Sequence, residues 1–370
     1  MLIGLFPELD APGGIQRAGR HLAFVMSEYA AGKEWEYRFL SLNDSQELHR
    51  MRVGEREFVF TGAARGKVGY LGAALKAARR RPKLILAGHP NLGPIVSSMK
   101  VVAHGAKSVI CTHGVEVWEK LPVMRRWALR NASLVLAPSK ATAESLVLLH
   151  GLKESRVRVL RWGLDPDFET RLLGLSGVTV PAEFPQGRVI LTVGRWVETE
   201  RYKGMDTLIK AMPRLLLRWP DVRLALIGSG DDREWLVDIA RHSGVQKHVH
   251  FLTGLTYAQL SACYAAAEIF ALPSKGEGFG FVYLEAMARG KPVIAGAHGG
   301  APEVVRDGVT GYVVQHDDTE QLATSINALL ANPELEREMG ARGKERVEKE
   351  YRFSVFAKEF KKILRELCES

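Results

Sequence analysis

The sequence predicts an α/β protein made of two Rossmann-like, doubly wound domains, each with a parallel sheet. At 370 residues the chain is too long for one ordinary core and suggests two domains of about 150 to 200 residues each. Apolar runs of strand length alternate with helical patterns along the chain, and this alternation starts afresh near residue 188. A hydrophobic fraction of 46% with 25% charged residues is typical of a soluble globular protein.

The net charge indicates which classes of partner the protein can bind, and the cysteine content indicates its cellular compartment. A net charge of +9 and a pI near 9.4 indicate an anionic partner, which leaves nucleotide, membrane and nucleic acid open. Cys111, Cys263 and Cys368 are widely spaced and form no CxxC pair, so the pattern favours a reducing cytoplasm over a disulfide scaffold or zinc site. No apolar run is long enough for a membrane-spanning helix, and the opening MLIGLF is interpreted as a first strand, not a signal peptide.

The first domain, expected over residues 1–164, opens with a strand, a glycine loop and a helix, as doubly wound domains do. Gly13 and Gly14 directly precede the helix, where free amides can face a phosphate or a sugar, although a lone glycine pair is more often an ordinary loop. Strands are predicted at residues 2–6, 35–42, 57–60, 82–88 and 107–112, helices at residues 15–31, 67–80 and 119–131, and a strand, serine cap and helix within residues 134–146.

Two histidines follow predicted strands of this domain. His89 comes after the strand at residues 82–88, and His113 comes after the strand at residues 107–112, with Glu116 close behind. The carboxyl ends of parallel strands are where α/β sheets place ligands. Taken alone, each histidine is more often a loop residue with its own partner than a ligand, and Glu116 has no assigned side of the site.

Basic residues lie beside apolar ones on the helices predicted at residues 67–80 and 119–131. Such faces can lie on anionic lipid, or they are ordinary amphipathic helices with solvated arginines, and both interpretations stay open. No nucleic-acid partner is expected, since no recognised reading module or aromatic platform accompanies the arginines.

The second domain, expected over residues 165–352, follows a linker marked by Pro and Gly at residues 163–187. Asp165-Pro-Asp167 matches an Asp-x-Asp pattern that can bind a metal and a nucleotide, but its position in the linker indicates a turn. Strands are predicted within residues 188–196, 222–232, 249–255, 269–275, 291–296 and 310–314, and the first helix at residues 203–216.

Two cations flank the first loop of this domain. Arg195 ends the strand and Lys203 begins the helix, so the two side chains can converge on a diphosphate. Arg201, in the intervening loop, can take over from either of them. Gly228 lies in a GSG turn too short for a GxGxxG fingerprint, which favours close approach of a nucleotide over NAD binding.

The stretch from residue 276 to residue 311 carries the densest pattern. Glu277 and Glu285, with seven residues between them, bracket a Gly-x-Gly turn formed by Gly278 and Gly280. The turn leads into a helix predicted from about residue 282, whose first amides have no intrahelical acceptors and form an anion site.

This segment, EGFGFVYLEAMARGKPVIA with its Glu, seven residues, Glu spacing, resembles the donor site of the retaining glycosyltransferases of family four. The resemblance implies the GT-B fold, in which two Rossmann-like domains face a cleft. It also implies that the tail, residues 353–370, forms a helix that crosses back onto the first domain.

The same resemblance implies roles for individual residues. Glu277 would contact hydroxyls of the transferred sugar, and Glu285 would contact the ribose. His113 would lie against a sugar hydroxyl, and Arg195 with Lys203 would hold the diphosphate. The remaining donor-binding positions are Gly13, Gly14, Gly228, Gly278, Phe279, Gly280, Phe281 and Val282.

The implied activity is transfer of a hexose from a nucleoside diphosphate sugar to a hydroxyl of a saccharide or lipid-linked acceptor in cell-envelope glycan synthesis. The anomeric configuration would be retained without a metal or cofactor, and GDP-mannose, UDP-glucose and UDP-GlcNAc are the candidate donors. A GT-B epimerase, a phosphorylase with lysine-bound pyridoxal phosphate and a non-catalytic nucleotide-sugar binder are the alternatives. A cytoplasmic location is expected, either free or peripheral on the inner face of the plasma membrane.

Overall fold

The computed structural model describes residues 1–54, 56–169 and 178–369. The chain divides into two compact units, Met1–Asp167 with Phe353–Ser370 and Phe168–Arg352, next to the expected boundaries at residues 164 and 352. Part of the expected linker, residues 170–177, lies outside the described residues. Cys111, Cys263 and Cys368 are buried and free.

The first unit is a doubly wound sheet of eight strands in the order β3-β4-β2-β1-β5-β6-β7-β8. All neighbours pair in parallel except β3, which is antiparallel to β4. The strands are β1 (Leu2–Phe6), β2 (Tyr37–Ser41), β3 (Leu48–Val53), β4 (Arg56–Gly62), β5 (Leu84–Ala87), β6 (Lys107–Cys111), β7 (Leu134–Ala137) and β8 (Val157–Val159). The helices are α1 (Gly14–Ala31), α2 (Lys67–Ala78), α3 (Gly93–Val102), α4 (Val123–Asn131) and α5 (Lys140–His150).

One predicted helix of this unit is wrong over its first turn. The sequence pattern predicts a helix from residue 119, but α4 begins at Val123 with Pro122 in an extended conformation before it. Proline disfavours helical geometry in the residue that precedes it, so the helix starts after Pro122. The cap predicted before α5 is confirmed, because the Ser139 hydroxyl accepts a hydrogen bond from the Thr142 amide.

The tail helix, α13 (Phe353–Cys368), belongs to the first unit. The Phe353 ring packs edge-on against His21 of α1 with their centroids 5.1 Å apart. Lys361 of α13 pairs with Glu28 of α1 at 2.9 Å. Both contacts fix the tail helix along α1.

The second unit is a parallel sheet of six strands in the order β11-β10-β9-β12-β13-β14. The strands are β9 (Arg188–Val193), β10 (Val222–Ile227), β11 (Val249–Leu252), β12 (Ile269–Leu272), β13 (Val293–Gly296) and β14 (Gly311–Val314). The helices are α6 (Met205–Leu216), α7 (Arg233–His242), α8 (Tyr257–Ala266), α9 (Phe281–Ala288), α10 (Ala301–Val304), α11 (Thr319–Leu330) and α12 (Pro333–Glu350). This is the strand order of a doubly wound fold, as predicted.

The strand order reverses between β9 and β12, which places a crevice at their carboxyl ends. The two strands pair at Ile190↔Ile269 and Leu191↔Phe270. The loop after β9 carries Arg195, and the loop after β12 carries Glu277. The topology therefore brings the two most informative stretches of the second unit to the same end of the sheet.

No helix among residues 1–54, 56–169 and 178–369 combines the length and the apolar character that a membrane span requires.

Candidate active site

Arg195 and Lys203 converge in the second unit on one carboxylate, that of Glu200. The Lys203 ammonium lies 2.6 Å from Glu200 Oε2, and the Arg195 guanidinium contacts Oε1 of the same side chain. The Glu200 side chain is 9% exposed, whereas that of Arg195 is 63% exposed. The structure thus brings together the two predicted cations, and it adds a buried acid that the sequence pattern did not single out.

A 3-10 helix, Glu198–Lys203, holds this cluster in position. It ends at Gly204 with φ +74°, where a Cβ atom would lie 2.6 Å from the carbonyl oxygen of Pro273. The Lys275 amide also donates to the Tyr202 carbonyl oxygen at 2.7 Å. These contacts fasten the segment of Lys203 to the loop that leads to Glu277.

Arg201 pairs with Asp232 and not with Glu200. The structure therefore does not place it where it could replace Arg195 or Lys203. Its guanidinium donates to both carboxylate oxygens of Asp232, at 2.6 and 2.7 Å. It also lies over the Trp235 ring, 4.1 Å from the centroid. Arg201 therefore braces the loop between β9 and α6.

Glu277 lies within electrostatic reach of this cluster. Desolvation raises the pKa of its carboxyl group, while the Lys203 charge opposes the rise and the Glu200 charge adds to it. Its backbone oxygen accepts a hydrogen bond from the Gly300 amide at 2.6 Å. Within the described part of the chain, no side-chain hydrogen bond or ion pair engages the carboxylate, which leaves both oxygens available to a ligand.

The turn after Glu277 ends in the amino terminus of α9. Gly280 has φ +91°, and a Cβ atom there would lie 2.3 Å from the Tyr283 ring, so this turn requires glycine. The helix begins at Phe281, one residue before the predicted start, with no side-chain cap and no acid in its first turn. Phe279 is buried with its ring against Tyr351, so only its backbone can serve a donor.

Glu285 is almost inaccessible, with 1% of its surface exposed. Its Oε2 accepts a hydrogen bond from the Tyr264 hydroxyl of α8 at 2.8 Å. Tyr264 was not identified from the sequence. The ribose contact stays a prediction, and it requires the carboxylate to become accessible from the crevice.

Gly228 has a packing reason that the sequence did not reveal. A Cβ atom at this position would lie 1.9 Å from the carbonyl oxygen of Gly194, so the loops after β9 and β10 touch through their backbones. Glycine is therefore required here even without a ligand. Its place at the donor stays a prediction.

His113 in the first unit has a defined tautomer. Its Nε2 lies 2.7 Å from the carbonyl oxygen of Gly88, which can only accept, so Nε2 carries the proton. In the neutral ring Nδ1 is then a hydrogen-bond acceptor. The ring stacks between His89 and Trp162, with centroids 5.6 and 5.8 Å away. Trp162 was not identified from the sequence.

The neighbours of His113 have partners of their own. His89 Nδ1 accepts a hydrogen bond from the Asn91 amide at 3.1 Å, which is the loop role that the sequence favoured. Burial, followed by the charges of His113 and Arg125, lowers the pKa of His89 to about 3, so the ring is neutral. Glu116 Oε1 accepts from the His113 amide at 2.6 Å and fixes that turn.

Two further predicted features lie at Gly13–Gly14 and at Asp165-Pro-Asp167. Gly13 has φ +144° and immediately precedes α1, which begins at Gly14 without a side-chain cap. The first amides of α1 thus have no intrahelical acceptor, and their contact with a donor stays a prediction. The Asp167 amide donates to Asp165 Oδ1 at 2.9 Å, and residues 166–169 are helical, so Asp165 caps the start of a helix where the sequence predicted a turn.

Two family models match the chain, "Glycosyltransferase Family 4" over residues 13–168 and "Glycosyl transferases group 1" over residues 180–346. A GDP-mannose-dependent monoacylated alpha-(1-6)-phosphatidylinositol monomannoside mannosyltransferase of Corynebacterium glutamicum is 41% identical over 284 residues, covering 71% of each chain. The chain belongs to this family of glycosyltransferases. Family membership favours the transferase over the epimerase alternative.

Two further comparisons extend this result. A GDP-mannose-dependent alpha-(1-6)-phosphatidylinositol monomannoside mannosyltransferase of Mycolicibacterium smegmatis is 38% identical over 259 residues, covering 65% of each chain, slightly less than two thirds. The sucrose-phosphate synthase of Thermosynechococcus elongatus has a TM-score of 0.77 at 22% identity, covering 99% of this chain and 98% of its own. The Anabaena protein HepE in complex with UDP and glucose also scores 0.77, at 20% identity, covering 99% and 100%. The fold is GT-B, as the sequence predicts.

Proposed function

We propose that this glycosyltransferase moves mannose from GDP-mannose to a hydroxyl of a phosphatidylinositol mannoside, with the anomeric configuration retained and without a metal ion. The observation that carries the proposal is the cluster of Arg195 and Lys203 next to Glu277 at the crevice of the second sheet. The names of the mannosyltransferase relatives support the choice of donor and acceptor.

The departing diphosphate sets the main electrostatic demand of the reaction. As the sugar–oxygen bond breaks, negative charge grows on the diphosphate, and preorganised cations and amides stabilise it. Arg195 and Lys203 supply two positive charges, and the uncapped amino terminus of α9 supplies backbone donors. In other enzymes a metal ion stabilises such a charge. Here we assign that stabilisation to Arg195, Lys203 and the first amides of α9.

Glu277 orients the sugar. A carboxylate accepts hydrogen bonds from two hydroxyls, and those bonds are about twice as strong as neutral ones. Its interaction with Lys203 places the carboxylate near the cation assigned to the diphosphate. We assign His113 a matching neutral contact, in which Nδ1 accepts the hydrogen of a sugar hydroxyl.

Retention follows from a route on one face of the sugar. The bond between the anomeric carbon and the diphosphate oxygen breaks, and the acceptor oxygen bonds to that carbon on the same face. The acceptor proton moves to an oxygen of the departing GDP, which thereby acts as the base. No protein carboxylate needs to lie beneath the anomeric carbon in this route.

A lipid acceptor requires a surface that meets the membrane, and the first unit has a candidate. The side chains of Val68 on α2, Val101 on α3 and Met124 and Trp127 on α4 are exposed, and α3 packs between α2 and α4. Basic residues flank them, namely Lys67, Lys120, Arg126 and Arg130. We call this set the apolar-basic face and propose that it docks on an anionic membrane at the cytoplasmic side.

The activity is tested with purified protein, GDP-mannose and phosphatidylinositol monomannoside in vesicles, with EDTA present. We expect a product one hexose heavier, and NMR of its new linkage should show the α configuration of the donor. A β-linked product would contradict retention. Turnover only after a divalent cation is restored would contradict metal independence, and hydrolysis without transfer would contradict the acceptor.

Membrane docking is tested by co-sedimentation with vesicles that contain anionic lipid. Met124→Ser should weaken binding several-fold, because it removes apolar area that inserts into the lipid. Leu217→Ser, at an exposed position directly after α6 in the second unit, is the matched control and should bind like the unaltered protein. Equal binding by both variants and the unaltered protein would rule out the apolar-basic face.

A further inference from the structure

Glu200 lies at a position where a carboxylate does not help to bind a diphosphate. It lies between the two cations assigned to the diphosphate, and its charge opposes the ligand that those cations are meant to bind. It also raises the pKa of Glu277, so it acts on both halves of the cluster. A buried acid in this position needs a function other than attraction of the donor.

Charge balance suggests that function. Without donor, the positive charges of Arg195 and Lys203 are matched by the negative charges of Glu200 and Glu277. A nucleoside diphosphate then competes with Glu200 for the same two cations. Glu200 is 9% exposed, so water screens this competition only in part.

Glu200 cannot easily move out of the way. Its amide donates to the Val197 carbonyl oxygen at 2.8 Å within the 3-10 helix. The helix is braced on one side by the bidentate contact between Arg201 and Asp232, and on the other by the bond from Lys275 to Tyr202. The carboxylate therefore stays near the cations while the diphosphate is bound.

Lys203 is confined as well. Its side chain is 17% exposed and passes over the backbone of Gly194, where a Cβ atom would lie 3.6 Å from the ammonium nitrogen. Arg195 is more exposed and would sample other rotamers without a partner. Glu200 thus holds both cations in one place before the donor arrives.

We propose that Glu200 is a positioning residue that orients Arg195 and Lys203 in the empty site and weakens the hold of the site on the released nucleoside diphosphate, which hastens product release. This inference rests on the proposed function, because it takes the diphosphate of GDP as the ligand of the two cations. Glu200 touches no reacting atom and acts through its two partners.

The proposal predicts opposite changes in affinity and turnover. Glu200→Gln keeps the shape and one acceptor oxygen but removes the charge, so GDP should bind about tenfold more tightly. The KM for GDP-mannose should fall, and kcat should fall too, because the product leaves more slowly. Loss of a merely structural contact would instead weaken GDP binding.

The test measures the Kd of GDP by calorimetry, and KM and kcat for GDP-mannose, on the unaltered protein and its variants. Glu198→Gln is the matched control, because Glu198 lies on the same 3-10 helix with its side chain 81% exposed and 3.9 Å from Arg201. It removes the same charge and should leave Kd and kcat unchanged. Circular dichroism and melting temperature check that each variant folds.

Glu200→Asp keeps the proposal testable if Glu200→Gln does not fold. The shorter side chain draws the carboxylate back, so its GDP affinity should lie between those of the other two proteins. Equal or weaker GDP binding by the folded variants would overturn the proposal. Failure of the unaltered protein to bind GDP would instead overturn the proposed function, so the two failures are distinguishable.

Discussion

The candidate sites of the two units are built from different chemistry. The second unit has a cluster of charged side chains, namely Arg195, Glu200, Lys203 and Glu277. Glu200 forms ion pairs with both cations, and the charges of Lys203 and Glu200 change the pKa of Glu277. In the first unit, His113 is stacked between neutral rings and hydrogen-bonded to a backbone oxygen. In the proposed reaction, the second unit is therefore assigned the charge of the leaving group, and the first unit is assigned directional contacts to the sugar.

The largest effect is expected at Glu277. Glu277→Ala removes two hydrogen bonds to a charged group, each worth about 1.5–3 kcal/mol, so transfer should fall by about 10²–10⁴-fold. The fold should survive, because the side chain makes no hydrogen bond within the described residues. Initial rates with GDP-mannose and the near-UV circular dichroism spectrum check both statements. Full activity would remove Glu277 from the site.

Lys203→Met should follow, with kcat/KM lower by about 10²–10³-fold, because a preorganised cation at the leaving group is lost. Lys210→Met is the control. Lys210 is a half-exposed lysine of α6 that pairs with Asp206 at 2.7 Å, so the same substitution there removes a lysine outside the cluster. If both variants lose activity equally, the cluster is not what binds the diphosphate.

A smaller effect is expected at His113. His113→Ala removes one neutral hydrogen bond, worth about 0.5–1.5 kcal/mol, so kcat/KM should fall by about 2- to 13-fold. His113→Asn keeps an acceptor and should recover part of the loss. A loss as large as that of Lys203→Met would show that the first unit also handles charge, and it would break the contrast between the two sites.

The smallest effect concerns stability. The folded state raises the pKa of Glu277 and therefore binds its proton more tightly than the unfolded chain does. Stability from this group is present below the unfolded pKa and is lost as the pH rises through the folded pKa. Glu277→Gln should thus increase the free energy of unfolding by about 1 kcal/mol at pH 7.

That gain should shrink toward zero as the pH falls to the unfolded pKa of glutamate, near 4.3. Urea titrations of both proteins at pH 7 and at pH 4.3 measure the difference. If the variant is less stable than the unaltered protein at pH 7, burial of the ionised Glu277 does not cost stability, and this explanation of its raised pKa is wrong.

Sequence reasoning predicted the secondary structure correctly where one local pattern specified it. The strand, Gly-x-Gly turn and helix around Glu277 are contiguous, and so are the strand end of Arg195 and the helix start near Lys203. Glu200 was missed because Glu198 and Glu200 look alike in the sequence, and only the 3-10 helix turns one of them inward.

Contacts between distant segments of the chain could not be predicted from local sequence patterns. Trp162 meets His113 across 49 positions of the chain, and Tyr264 meets Glu285 across 21, and neither pair shares a local pattern. Strand β3, with the sequence LHRMRV, was missed because basic residues occupy its alternate positions on an antiparallel edge. Topology supplies these contacts, and a pattern read along the chain does not contain them.

The most direct test of the account is the melting temperature of the protein with GDP, UDP, ADP and their sugars, each with and without EDTA. A ligand that binds only the folded state raises the melting temperature by mass action. We expect GDP and GDP-mannose to raise it, EDTA to leave the shift unchanged, and Lys203→Met to abolish it. A shift from uridine nucleotides alone, or one that EDTA removes, would contradict a metal-free site for GDP-mannose.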